Sequence, residues 1–189
     1  MQVQDQNNHT DEFAVVNSFL SQTVFVENYY FNKFPLVYIK ESSGKAAALS
    51  AYKYAFNERN WKIGSSHHVR QDTEQWPLDS LQIEKFFQIV NDEKTDEWKH
   101  SDFAIENIDS ISLGSIRESI KKEKYLVEPA KKIFFLSRPL FLDEKKAIMF
   151  FYIGSSELGF NTFDRFAVLM VKLDGRWEIG SRYYDGVMF

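Results

Sequence analysis

An α+β domain, with helices in the first two-thirds of the chain packed on a mainly antiparallel C-terminal sheet, is predicted by three features of the 189-residue sequence. Apolar residues recur at three- and four-residue spacing in stretches before the last third. Apolar runs at 132–142, 147–154, 163–173 and 176–184 then follow, joined by polar or Gly-containing links. One of those links, Asp174-Gly175, is the strongest hairpin signal in the chain. Helices followed by strands make an α+β build, and a cystatin-like or NTF2-like curved sheet is its expected specific form. With 44% hydrophobic and 16% aromatic residues, the chain can bury a full core. A single domain is expected over 11–189, after a flexible tail at 1–10.

Phe13, Val16, Phe19, Leu20 and Val24 share one helical face, and Asp11 and Glu12 suit the positive end of the dipole, which predicts a helix over 11–24. FPLVYIK (34–40) reads as a strand with its Pro at the start, where the missing N–H is tolerated. In KAAALSAYKYAFN (45–57) the Ala content and the Leu49/Tyr52/Phe56 stripe favour a helix over the competing Tyr52/Tyr54/Phe56 alternation. After Pro77, Asp79 and Gln82 have N-cap and N3 spacing ahead of Ile83, Phe86, Phe87 and Val90, predicting a helix at 80–90. Residues 91–106 carry six carboxylates against two lysines and read as a loop anchored by Trp98. Ser115 and Glu118 have capping-box spacing for a short basic helix over 117–126, ending before Pro129.

A two-residue turn at Asp174-Gly175 pairs Lys172 with Trp177, Met170 with Ile179, Val168 with Ser181 and Phe166 with Tyr183, on the expected core face. The opposite row pairs Val171 with Glu178, Leu169 with Gly180 and Ala167 with Arg182. Central strands apolar on both faces need cover on both, from helices on one side and from a loop, a partner chain or a ligand on the other.

The net charge of −4 argues against nucleic-acid binding, which depends on Lys and Arg neutralising phosphates. The absence of Cys removes disulfides, thiolate metal sites and a Cys nucleophile together. MQVQDQNNHT lacks the basic and apolar regions of a signal peptide, and no later run is long enough for a transmembrane segment, so a soluble chain is expected. Such a polar start also suits a mature exported protein. The sequon Asn8-His9-Thr10 matters only in a glycosylating host.

Motifs for chemistry are sparse. His67 and His68 are adjacent and therefore diverge on a strand or a helix, which makes a poor chelate, and His9 and His100 add nothing, so no metal is expected. GSSELG (154–159) has the wrong spacing for a nucleophile elbow, and no glycine-rich phosphate loop occurs. The acidic 91–106 stretch lacks the spacing of a calcium loop. No cofactor and no catalytic residue are assigned.

Phe134, Leu136, Leu140 and Leu142 alternate through IFFLSRPLFL as one side of a strand, which sets Arg138 in an apolar row. Pro139 cannot donate to a ladder and so points to an edge or a bulge there. A bulge would let Arg138 reach solvent or a carboxylate. The segment SRPLF (137–141), followed by AIMFFYIG (147–154), a Gly-containing loop, another apolar strand and GRWEI (175–179), resembles a loose group of uncharacterised envelope proteins and lipoproteins of Bacteroidetes-type bacteria. In that group a Ser-[Arg/Lys]-Pro-[Leu/Ile]-Phe strand is similarly followed by a closing strand with Trp. LDSLQIEKF (78–86) looks like the helix start found upstream in it. The resemblance covers the C-terminal 60% or so and lacks the group's lipid-attachment Cys. It implies an envelope location and an α+β build, and no enzymatic activity.

The function expected is that of a non-catalytic binding protein acting through protein–protein contacts, such as a toxin-neutralising immunity protein or an envelope protein, with another protein or a second copy as partner. Its candidate binding residues are Arg138, Arg182, Tyr183 and Tyr184, with Asp96, Glu97 and Trp98 of the acidic loop; Tyr and Arg are enriched at contact hot spots. The competing expectation is an NTF2-like small-molecule-binding or enzymatic domain with a pocket between sheet and helices, drawing on Arg138, Tyr152, Glu157, Asp164 and Tyr183. The compartment expected is the periplasm or cell envelope if an export signal precedes the mature sequence, and the cytoplasm otherwise.

Overall fold

A computed structural model describes residues 2–23, 34–59, 75–90, 96–106, 108–156 and 161–185, with the backbone alone at 2–10, 161 and 163. Among these, the helices are α1 (Gln2–Thr23), α2 (Lys45–Glu58), α3 (Ser80–Val90) and α4 (Leu113–Lys121). The strands are β1 (Leu36–Ile39), β2 (Asp109–Ile111), β3 (Lys132–Leu136), β4 (Leu140–Asp143), β5 (Lys146–Ser155), β6 (Asn161–Leu173) and β7 (Arg176–Tyr184). They form one sheet in the order β2-β1-β3-β5-β6-β7, with β4 also paired to β5. β1 lies parallel to β2 and β3, and every other pairing is antiparallel. The fold is therefore α+β. No helix among the described residues is long and apolar enough to cross a membrane.

The helices follow their sequence signals closely where burial supports them. α1 begins at Gln2 rather than near 11, so helical backbone runs through the stretch that reads as a tail. α2 resolves its ambiguity as a helix because Ala48, Leu49, Ala51, Tyr52, Ala55 and Phe56 are buried together while Tyr54 is exposed. At the start of α3, the Asp79 and Gln82 N–H groups each donate to the other's side-chain oxygen at 2.9 Å, a reciprocal capping box.

α4 departs from its expected bounds of 117–126. Its N-cap is Ser112, whose Oγ accepts from the Ser115 N–H, so the Ser115/Glu118 capping box does not form and Glu118 instead pairs with Lys122. The physical reason is tertiary: both carboxylate oxygens of Glu41, just beyond β1, accept the Leu113 N–H at 2.9 and 3.1 Å and fix the first turn there. Glu123, with φ of 51°, ends the helical path ahead of a short 3-10 turn at Lys124–Leu126.

Among the one-residue bulges of the sheet, two change which side chains of the candidate residues meet. Leu136 pairs with Phe151 but Leu140 pairs with Ile148, so Ser137-Arg138-Pro139 holds one residue more than β5 opposite it. Ser137 bridges the break: its N–H donates to Phe150 O at 3.0 Å and its Oγ accepts the Phe150 N–H at 2.7 Å. The extra residue reverses the alternation. Phe134 and Leu136 pack on the α1 side, whereas Leu140 and Leu142 pack on the α2 side, so these four do not share a face.

The second bulge is in β7. Asp174 and Gly175 both have positive φ, 48° and 79°, as a type I′ turn requires, and Lys172–Trp177, Val171–Glu178 and Met170–Ile179 pair as the turn dictates. Beyond Ile179 the register shifts: Leu169 meets Ser181, Val168 meets Arg182, Ala167 meets Tyr183 and Phe166 meets Tyr184. The expected pairs Val168–Ser181, Phe166–Tyr183, Leu169–Gly180 and Ala167–Arg182 are therefore corrected. Gly180 is the added residue, and a Cβ there would lie 2.8 Å from Val171 Cγ2, so this close approach suits glycine alone without a shift of Val171.

The sheet is covered on both faces by the chain's own elements. One face packs Phe134, Phe151, Phe166 and Val168 against Val15, Val16, Phe19 and Leu20 of α1, with Trp98 and Phe103 from the 96–106 loop. The other packs Ile148, Phe150, Ala167, Leu169 and Tyr183 against α2 and α3. Farther along that second face, α4 sets Ile116 on Val37, Ile39 and Ile133. No partner chain is required to cover the second apolar face. α1 also guards the sheet edge: the Gln22 side-chain amide donates to Trp177 O at 3.0 Å and accepts the Ile179 N–H at 3.2 Å, taking up β7 backbone groups as another strand would.

Candidate functional site

Arg138 leaves the bulge on the α1 side and is only 12% exposed. Its guanidinium lies 3.7 Å from the Trp98 ring centroid and donates to Glu12 Oε1 at 3.2 Å, Glu97 O at 3.0 Å and Asp96 Oδ2 at 3.4 Å, with Asp102 Oδ2 at 3.8 Å. Trp98 in turn donates from Nε1 to Leu136 O. The structure thus brings Arg138, Asp96, Glu97 and Trp98 together as an internal clamp that ties α1, the acidic loop and the β3–β4 break. Arg138 lines neither the cavity under α2 and α4 nor the cleft beside Trp177. This stretch is architecture, with the carboxylate pairing that the bulge predicts.

Arg182, Tyr183 and Tyr184 lie elsewhere, on β7. Tyr183 is fully buried, so it is a core residue and not a surface contact; its ring meets Tyr52 at 4.6 Å and Trp76 at 5.3 Å, and its hydroxyl donates to Gln75 O at 2.5 Å. The β7 bulge turns it from the α1 face to the α2 face. Tyr184 packs on Phe166, and the Arg182 guanidinium stands 5.1 Å from the same ring. Tyr52 Oη both donates to Leu78 O at 2.9 Å and accepts the Leu78 N–H at 3.0 Å. Burial pushes the Tyr52 phenol up to about 12, and burial pushes that of Tyr183 up as well. These phenols hold the 75–79 segment on the sheet.

A cavity of about 400 Å³ lies on the same sheet face as α2 and α4. Its floor is a row across three strands, since Phe135 pairs with Tyr152 and Tyr152 with Arg165, beside Ile133 paired with Gly154. Ile39, Leu113 and Ile116 close the end under α4, and Ala47 of α2, Ser43 and Phe150 line the opposite wall. Space exists because Ala47 and Gly154 stand where larger side chains would fill it. Arg165 holds its Nε 2.5 Å from Asp185 Oδ2, but without the direction of a hydrogen bond, and Nε has no aligned acceptor among the described residues. Ser43 Oγ is likewise buried without a hydrogen-bond partner among the described residues.

The described lining residues include no carboxylate and no histidine. Of the pocket residues expected from sequence, Tyr152 is here, Arg138 and Tyr183 are not, Asp164 does not line it, and Glu157 lies outside the described residues. His67 and His68 also lie outside them; among the described residues no group of three or more His, Asp or Glu could hold a metal. Sequence reasoning missed Arg165, although an Arg beside the apolar run FAVLM was a signal comparable to Arg138. Ser43, Ala47 and Gly154 gave none, because a missing side chain leaves no pattern. Comparison of the chain with family models, curated proteins and solved structures gives no match.

Proposed function

We propose that the chain is a binding domain that takes a small, mainly apolar molecule into the cavity between α2, α4 and the sheet. The observation that supports this most is the cavity itself. Its volume of about 400 Å³ falls within the range of small-ligand sites, roughly 300–1,000 Å³, with an apolar lining and a few convergent polar groups. The neutral fluorophore N-phenyl-1-naphthylamine is expected to brighten saturably on binding the folded chain. Ala47→Trp, which fills the cavity from α2, is expected to abolish that signal while the far-ultraviolet circular dichroism is retained. An undiminished signal in a folded Ala47→Trp chain sinks the proposal.

A second reading, protein–protein contact of the kind found in immunity or envelope proteins, has one observation in its favour. Leu81 and Ile89 on α3 are 75% and 63% exposed. Sedimentation as a monomer, together with no protein retained from the native cell at native abundance, would leave only the cavity reading.

A further inference from the structure

We propose that the occupant of the cavity is an amphipathic anion, an unbranched acyl chain of about ten carbons whose carboxylate is held at Arg165; the inference rests on the cavity reading above and adds the head group and its orientation. Charge in the described lining lies at one end of the sheet. Arg165 is on β6, with Phe150 and Tyr152 on β5, whereas Ile39, Ile133, Leu113 and Ile116 lie toward β1, β3 and α4, with Ser43 following β1. The strand order β1-β3-β5-β6 places three inter-strand steps between these ends, roughly 14 Å at 4.8 Å a step. At roughly 30 Å³ for each methylene-sized group, about 400 Å³ accommodates a chain of about ten carbons with its head.

The charge fits an anion. Arg165 is the sole formal charge among the described lining residues; its Nε lies 2.5 Å from Asp185 Oδ2, and a planar guanidinium has a second edge with which it can bind a carboxylate. The Phe150 ring, 5.5 Å from the guanidinium, supports it from the apolar side. Two buried polar atoms at the site, Arg165 Nε and Ser43 Oγ, lack aligned partners among the described residues.

The test is displacement of N-phenyl-1-naphthylamine by decanoate, decan-1-ol and decylamine below their micellar concentrations. Decanoate is expected to bind about tenfold or more tighter than decan-1-ol, because a hydrogen bond to a charged group is stronger than a neutral one. Arg165→Gln is expected to remove that advantage, so that decanoate and decan-1-ol bind alike, and Arg165→Lys to keep part of it. Equal binding of decanoate and decan-1-ol overturns the head-group inference and leaves the cavity reading standing. Tighter binding of decylamine overturns it in favour of Asp185. Failure of all three to displace bound probe overturns the acyl chain, and failure of the probe itself to bind overturns the cavity reading. The wild-type comparison decides even if Arg165→Gln does not fold.

Discussion

Arg138→Ala is expected to lower the unfolding free energy by about 3–5 kcal/mol, the range for breaking a buried ion pair by removing one partner. A surface pair is worth only about 0–1 kcal/mol, so the burial of each partner decides which range applies. Arg138, Glu12 and Asp102 have side chains 12%, 16% and 9% exposed, while Asp96 is 74% exposed and contributes little. Truncation removes the cation from beside the Glu12 and Asp102 carboxylates, of which Asp102 keeps the Lys99 N–H. It also removes the stack on Trp98, and with it the link between α1 and the 96–106 loop. Urea unfolding followed by tryptophan fluorescence reads the change. A loss below about 1 kcal/mol would show that the clamp is solvated and that α1 is held by its apolar face alone.

Tyr52→Phe is expected to cost about 2–6 kcal/mol at neutral pH, although it removes a single oxygen. That oxygen serves both the N–H and the C=O of buried Leu78, and each group left unpaired costs about 1–3 kcal/mol. The same hydroxyl sets an alkaline limit. Below the ordinary phenol value, about 10, Tyr52 is protonated in both the folded and unfolded chains and contributes no pH dependence. As pH rises from there to about 12, the unfolded chain loses the proton while the folded chain keeps it, so stability falls. Two units at about 1.4 kcal/mol each give roughly 2–3 kcal/mol from Tyr52, and Tyr183, raised by the same cause, adds in the same direction. Denaturant midpoints measured from pH 8 to 12 should fall less steeply in Tyr52→Phe than in the wild type. Parallel slopes would mean that the phenol ionises without unfolding.

The elements were legible in the sequence because each carries a local signal. Asp79 and Gln82 announce α3, the Ala-rich stripe α2, and Asp174-Gly175 the β6–β7 turn. What was not legible is which face several residues take. A bulge adds one residue to a strand and leaves the composition and most of the alternation intact, yet it sends Leu140 and Leu142 away from Leu136, and Tyr183 to the α2 face instead of the α1 face. Pro139 marked the first bulge. Gly180 could have marked the second, since an isolated Gly in a strand suggests one. The start of α4 was hidden because Glu41, distant in sequence, supplies its cap. The cavity was least visible of all: its walls come from α2, α4 and four strands, and its volume arises where Ala47 and Gly154 are small.

The Gln22 amide at β7 bears on how the protein behaves when crowded. Peptide groups at a sheet margin can template a further chain, and stacking of that kind leads from folded monomers to fibres. Here one glutamine takes up Trp177 O and the Ile179 N–H, and Ser18 adds a second donor to the same carbonyl. Helix α1 thus acts as a terminator of sheet growth as well as a layer of the core. A shortened chain lacking it would lose apolar cover and gain a growing end at once, so its failure would take the form of self-association rather than simple unfolding.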